Sequence, residues 1–118
     1  MSVIAMGLVA FVAVLHAGFL VLEMFLWQKP IGMKVFRNTP EKAAITAVLA
    51  ANQGLYNGFL SAGLFWSLVA GPMGPALATF FCGCVVVAAG YGAVSVSPRI
   101  FLVQGVPALL ALGAVQLL

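Results

Sequence analysis

Two ionisable side chains, Glu23 and His16, lie inside the first long apolar stretch of the chain. They are seven residues apart, so on a helix they project from nearly the same face, two turns from each other. A carboxyl or imidazole group within a membrane span is rare and is typical of proton transfer or ligand binding. We therefore predict that Glu23 and His16 are catalytic groups. The alternative is structural: Glu23 reaches the interface or pairs with Lys29 or Arg99, and a neutral His16 bonds to an amide of another helix.

A second polar group is the run A-A-N-Q-G-L-Y-N-G at residues 50–58, where four hydrogen-bonding side chains fall within six positions. An isolated polar group in hydrocarbon costs several kcal/mol, so these side chains are expected to face other helices or a wet cavity. They line a pocket or, alternatively, join helices at about 0.6 kcal/mol per bond. With two polar residues of later segments they make up the predicted ligand-binding set: Asn52, Gln53, Tyr56, Asn57, Tyr91 and Gln104.

The rise of a helix predicts that these groups meet in two layers. We counted about 1.5 Å per residue inward from Trp27 on the first segment and from the start of the second. Glu23 then lies about 6 Å deep, level with Tyr91 and Gln104. His16 lies about 16 Å deep, level with the beginning of the polar run. The sequence thus predicts one layer midway and one near the mouth.

Gly54 and Gly58 form a GxxxG pair in a line of small residues on the second segment. Such a pair lets another helix backbone approach closely. The predicted partners are membrane lipid, a small lipophilic ligand and a second copy of the chain, which would form a homodimer through the Gly54/Gly58 face. The strip expected to face lipid is Val48, Leu55, Phe59 and Trp66.

Cys82 and Cys84 are two residues apart, which on a helix directs their side chains to opposite sides. They are therefore expected neither to pair nor to share a metal. One histidine and one intramembrane glutamate make a poor zinc site. The sequence predicts no metal and no cofactor.

Composition places these residues in a membrane. Of the 118 residues, 64% are hydrophobic and 6% are charged, against about 25% charged in soluble domains. The net charge of +3 is too small and too local for nucleic acid. We predict an all-α fold: a single four-transmembrane-helix domain over residues 1–118, with spans at about 3–27, 41–69, 74–94 and 99–118. Thr39-Pro40 and Ser97-Pro98 are typical helix starts, and Pro107 is expected to bend the last span.

The basic residues predict the orientation of the spans. Four of them lie in the long polar connection between spans 1 and 2, and Arg99 lies between spans 3 and 4. Because positive charge collects on the cytoplasmic side, loops 28–40 and 95–98 are predicted to be cytoplasmic. The N-terminus and C-terminus are then both outside.

Three sequence blocks resemble a known family. They are E-M-F-L-W at residues 23–27, A-N-Q-G-L-Y-N-G-F-L at residues 51–60 and K-P-I-G-M-K-V-F at residues 29–36. Together they resemble the small bacterial and fungal membrane proteins catalogued as domain of unknown function 1304. The resemblance implies a four-span, single-domain protein of the bacterial inner (plasma) membrane. It draws attention to Glu23 and to the polar run of the second span, and it implies no substrate.

Three functions are compatible with these residues. The first is an intramembrane polar pocket that binds a small lipophilic molecule, with chemical transformation by Glu23 and His16 left open. The second is a proton-coupled transporter of small molecules that acts as a homodimer. The third is a structural or accessory membrane subunit in which the polar groups hold helices together. We favour the first.

Overall fold

The structure is a computed structural model that describes all residues, Met1–Leu118. It is helical throughout and contains no strand, which confirms the predicted all-α class. A 3-10 turn at Gly71–Met73 and a π-helical turn at Phe101–Gly105 accompany the α-helices. The helices are α1 Val3–Met24, α2 Pro30–Phe36, α3 Pro40–Val69, α4 Gly74–Ser95 and α5 Val106–Leu117.

Two helix starts follow from hydroxyl groups placed before proline. Thr39 Oγ1 accepts a hydrogen bond from the Lys42 backbone N–H at 3.2 Å, and Pro40 is the first residue of α3. The hydroxyl satisfies one of the free N–H groups at the helix end, and the fixed φ of proline suits the first helical position. Ser97 Oγ also accepts a hydrogen bond from a backbone N–H, that of Arg99 two residues later, at 3.3 Å.

The connection between α1 and α3 contains a helix that the sequence interpretation missed. Residues 28–42 were expected to be a polar loop, but Pro30–Phe36 forms α2. Proline begins this helix, and Arg37, with a φ of 56°, ends it in the left-handed conformation. The Arg37 N–H bonds to the carbonyl of Met33. This helix has seven residues, which is about two turns, and a segment so short does not show a detectable period.

The last helix changes its hydrogen-bond register immediately before Pro107. The Val106 N–H bonds to the Phe101 carbonyl, a π-type step, and the helix then continues as α5. Pro107 has no N–H to give to the carbonyl one turn earlier, so a wider turn at this point absorbs part of the disruption. The structure therefore shows a π-helical turn immediately before Pro107, and the bend predicted at Pro107 stays a prediction.

The chain divides into two compact units. One comprises Met1–Val14 and Leu60–Leu118, and the other comprises Leu15–Phe59. The first unit has a core of small and branched side chains in which the Ser61 hydroxyl donates to the Ala13 carbonyl at 2.7 Å. Small residues permit this close packing of helices. The core consists of Val9, Val12, Ala13, Leu64, Ala78, Cys82, Val85, Ala108 and Ala111.

Two helices are long and apolar enough to cross a membrane: Val3–Met24 and Gly71–Ser95, where the 3-10 turn continues into α4. Helix α3 is the longest, but it carries Glu41, Lys42 and the polar run, which lower its average hydropathy. The final apolar helix, Phe101–Leu117, is shorter. The single-domain organisation predicted from the sequence stays a prediction.

A candidate polar site at Glu23

The Leu15–Phe59 unit contains a buried carboxyl group joined to two amides. Glu23 lies in the last turn of α1 and is 3% exposed. Its Oε2 accepts a hydrogen bond from Gln53 Nε2 at 2.7 Å, and its Oε1 accepts one from Asn57 Nδ2. Gln53 and Asn57 are four residues apart on α3, so they present their amides one turn apart on one side of the helix. Both oxygens of the carboxyl group therefore have a neutral donor.

Two glycines bring α1 and α3 close enough for these bonds. A Cβ atom on Gly54 would lie 2.7 Å from Met24 Cγ and 3.0 Å from Glu23 Cβ. A Cβ atom on Gly58 would lie 2.5 Å from Leu20 Cδ1. The Gly54/Gly58 pair thus permits close helix approach, as the GxxxG spacing predicts, but its partner is α1 of the same chain.

The depth layers predicted from the sequence were wrong. Glu23 was placed in the layer near the mouth and the polar run in the layer midway, yet Glu23 bonds to two residues of that run. The count assumed that Trp27 lies level with the start of α3. Instead, Trp27 Nε1 donates to Thr46 Oγ1 at 3.1 Å, six residues inside that helix. Because α2 separates α1 from α3, the two helices are offset by nearly two turns.

A half-open cleft of about 230 Å³ reaches Glu23. Trp27, on one side of the cleft, packs against Phe36 of α2 with ring centroids 4.9 Å apart and ring planes tilted by 46°. Thr46 Oγ1, which accepts a hydrogen bond from Trp27, donates one to the Lys42 carbonyl at 2.7 Å. The cleft combines a carboxyl group, an amide and an ammonium group with aromatic walls. Its lining residues are Glu23, Met24, Phe25, Trp27, Gln28, Lys29 and Ala47.

A larger groove of about 490 Å³ lies in the other unit, against Pro75, Phe80 and Val115. Its polar side chains satisfy each other, since Gln116 Nε2 donates to Thr79 Oγ1 at 2.6 Å. The groove is open and contains no ionisable side chain. The smaller cleft at Glu23 is therefore the better candidate site, because ligand sites combine an apolar lining with a few convergent polar groups.

The structure brings together three of the eight residues predicted for the site: Glu23, Gln53 and Asn57. The others lie elsewhere. His16 is 1% exposed, stands edge-on to Phe19 at 5.3 Å and does not line the cleft.

Of the remaining four, Asn52 and Tyr56 make no hydrogen bond with the Glu23 carboxyl group, and Tyr91 and Gln104 belong to the other compact unit. Asn52 is exposed and Tyr56 is 56% exposed on α3. Tyr91 is 77% exposed on α4, and Gln104 is partly buried in the π-helical turn. The sequence interpretation did not assign Trp27, Gln28, Lys29 or Ala47 to the site. One of these residues, Lys29, begins the block K-P-I-G-M-K-V-F, which the sequence interpretation used only for the family resemblance.

This arrangement can bind a ligand through complementary charge and hydrogen bonds. A carboxyl group has more acceptor positions than the two that the amides occupy. A hydroxyl or ammonium group entering the cleft can therefore donate to Glu23, while Lys29 at the same cleft can bind an anionic group. Nowhere in the described chain do three or more His, Cys, Asp or Glu side chains come together as metal ligands would. Cys82 and Cys84 are free thiols.

Comparison with known proteins places the chain in a family. No curated protein and no solved structure matches it. A family model described as "Protein of unknown function (DUF1304)" matches residues 10–116, a range that includes Glu23, both amides and the lining of the cleft. The chain belongs to this family.

Proposed function

We propose that the chain is an integral protein of the bacterial plasma membrane that crosses the bilayer four times as a helical bundle. Two observations support the proposal. Only 28% and 22% of the two long apolar segments are buried within the chain, whereas the apolar core helix of a soluble protein is mostly covered. Apolar side chains such as Val69, Val87 and Val94 are 73–90% exposed, which suits contact with lipid.

The proposed orientation predicts which residues are accessible from each side. In a chain with Cys82→Ala and Cys84→Ala, a membrane-impermeant maleimide should label Met73→Cys in intact spheroplasts. It should label Lys34→Cys only after lysis or in inverted vesicles, because Lys34 lies on the predicted cytoplasmic side. Both positions are exposed on the chain. The reverse pattern would overturn the orientation, and labelling of both in intact spheroplasts would overturn the four-span topology.

We propose further that the cleft at Glu23 binds the polar end of a small lipophilic molecule. This proposal rests on the Glu23 carboxyl group, which is 3% exposed and accepts hydrogen bonds from two amides but still lines a cleft. The cleft, at about 230 Å³, is below the range of about 300–1,000 Å³ for drug-sized ligands. A polar head with a hydroxyl or ammonium donor fits it, and an apolar tail can continue along Phe25, which is 66% exposed.

Filling the cleft tests this proposal. The wild-type protein, purified in mild detergent and analysed by native mass spectrometry, should carry a molecule that co-purifies. Ala47→Phe should lower the retention of this molecule at least tenfold, because Ala47 lines the cleft without bonding to Glu23. The matched control is Ala44→Phe, one turn away on the same helix but exposed and outside the cleft. An empty wild-type protein, or equal retention in both variants, would contradict a ligand in this cleft.

Chemical transformation of the ligand is a narrower proposal that depends on the same carboxyl group. A carboxyl group held by two amides next to a bound donor is positioned to accept or return a proton. His16 does not line the cleft, so the proposed proton transfer uses Glu23 alone.

A further inference from the structure

We propose that two copies of the chain associate through the outward side of α3, with the two Asn52 carboxamides facing each other across a two-fold axis. This inference depends on the membrane location proposed above but not on a ligand at Glu23. It concerns the Asn52 face, which we define as the residues within about 60° of Asn52 on the helical wheel. Among residues 45–59 they are Ile45, Val48, Leu49, Asn52, Leu55, Tyr56 and Phe59.

The polar run of α3 divides between two sides of the helix. Gln53 and Asn57 turn to Glu23, and Asn57 is 8% exposed. Asn52 is exposed and makes no side-chain hydrogen bond within the chain, and Tyr56, one turn later, is 56% exposed. The site at Glu23 accounts for the first pair only. The second pair is an amide and a hydroxyl on a face that is otherwise apolar and open.

The depth of Asn52 in α3 prevents its amide from reaching water. It lies 12 residues from Pro40 and 17 from Val69, so about 18 Å and 26 Å from the two helix ends. The hydrocarbon core is about 30 Å thick, and a short asparagine side chain cannot reach the interface from its middle. A polar group at that depth needs a hydrogen-bond partner.

A second copy of the chain supplies that partner. A carboxamide is both donor and acceptor, so two Asn52 side chains related by a two-fold axis can form a reciprocal pair of N–H···O bonds. A two-fold interface uses the same patch on both chains, which this face allows because its polar centre is self-complementary. The apolar side chains around it are open to pack: Ile45 and Val48 are 82% exposed and Leu49 is 73% exposed.

Energy transfer in liposomes measures the proposed dimer formation directly. The full chain, labelled with donor and acceptor dyes in liposomes, should show energy transfer that depends on the protein-to-lipid ratio. Asn52→Leu should raise the dissociation constant about tenfold, because it removes two buried interhelical hydrogen bonds. The matched control is Gln116→Leu, an exposed amide on α5 outside the Asn52 face, which should leave association unchanged. A monomeric wild type, or equal dissociation of both variants, would overturn the proposal.

Cross-linking locates the interface independently of stability. In a chain with Cys82→Ala and Cys84→Ala, oxidation in membranes should link Leu49→Cys into a dimer of two identical chains. Val21→Cys, which is 45% exposed on α1, should stay monomeric. A link from Leu49→Cys to a different protein, or cross-linking of Val21→Cys instead, would overturn the homodimer. Cross-linking at Leu49 in a protein whose Glu23 cleft is empty would overturn the ligand proposal but support the dimer. A protein that carries a ligand but stays monomeric would overturn the dimer but support the ligand proposal.

Discussion

Glu23→Leu should lower the free energy of unfolding by about 1–3 kcal/mol, because it leaves two amide donors without their acceptor. Most of the loss should come from Asn57, which is 8% exposed and cannot turn to another partner. Gln53 is exposed on the chain, so packing encloses its amide less tightly than that of Asn57. Thermal unfolding followed by circular dichroism in detergent, or steric trapping in bicelles, measures the difference.

Glu23→Gln separates the hydrogen bonds from the charge. A glutamine offers one acceptor and one donor in nearly the same shape, and one neighbouring amide can turn to present its carbonyl group. We expect this variant to stay within about 0.5 kcal/mol of the wild type. Ligand retention then identifies the group bound at Glu23. An ammonium-bearing ligand should be lost with the charge, whereas a hydroxyl-bearing ligand should remain.

A double substitution tests the physical cause of the Glu23→Leu loss. Adding Asn57→Leu to Glu23→Leu removes the orphaned donor, so the pair should be more stable than Glu23→Leu alone. Replacing both partners of a buried bond by apolar groups is often nearly neutral. If Glu23→Leu alone matches the wild type, or if the double variant is the least stable of the set, the bonds to Glu23 do not hold α1 against α3.

Local chemistry explains what the sequence predicted correctly. Thr39 and Pro40 define the start of α3 through a hydroxyl cap and a fixed φ, both of which act within three residues. The spacing of Gly54 and Gly58 indicated close helix packing for the same reason, since the absence of a Cβ atom is a local property. Burial of Glu23 and Asn57 also followed from the high energy of polar groups in hydrocarbon.

What the sequence could not supply is the relative position of helices. Which helix packs against Gly54 depends on the connection between α1 and α3, and that connection contains α2. The same helix displaces Trp27 to the level of Thr46, so counting residues from an assumed common end paired Glu23 with the wrong layer. Nor does periodicity tell which of two adjacent amides, Asn52 or Gln53, faces the carboxyl group. An error of one residue rotates the helix by about 100°.

Among glycine-to-alanine substitutions in the Leu15–Phe59 unit, Gly32→Ala should lower the stability most. A Cβ atom on Gly32 would lie 1.9 Å from the Leu26 carbonyl oxygen and 3.1 Å from Trp27 Cα. These are backbone atoms, which cannot rotate away as a side chain can, so α2 has to move. Overpacking of this kind costs about 1–3 kcal/mol, which outweighs the gain of up to about 1 kcal/mol in helix propensity from replacing glycine by alanine.

Displacement of α2 should also open the cleft, because Trp27 is held between Phe36 and Thr46. In a Trp66→Phe background, the fluorescence of Trp27 should shift to the red, the melting temperature should fall and the co-purifying molecule should be lost together. Gly18→Ala is the matched control, since a Cβ atom there meets nothing within 4 Å. It should leave all three unchanged or slightly raise stability. Equal behaviour of the two alanine variants would mean that α2 does not pack on residues 26 and 27, and would remove the wall on which the proposed ligand site depends.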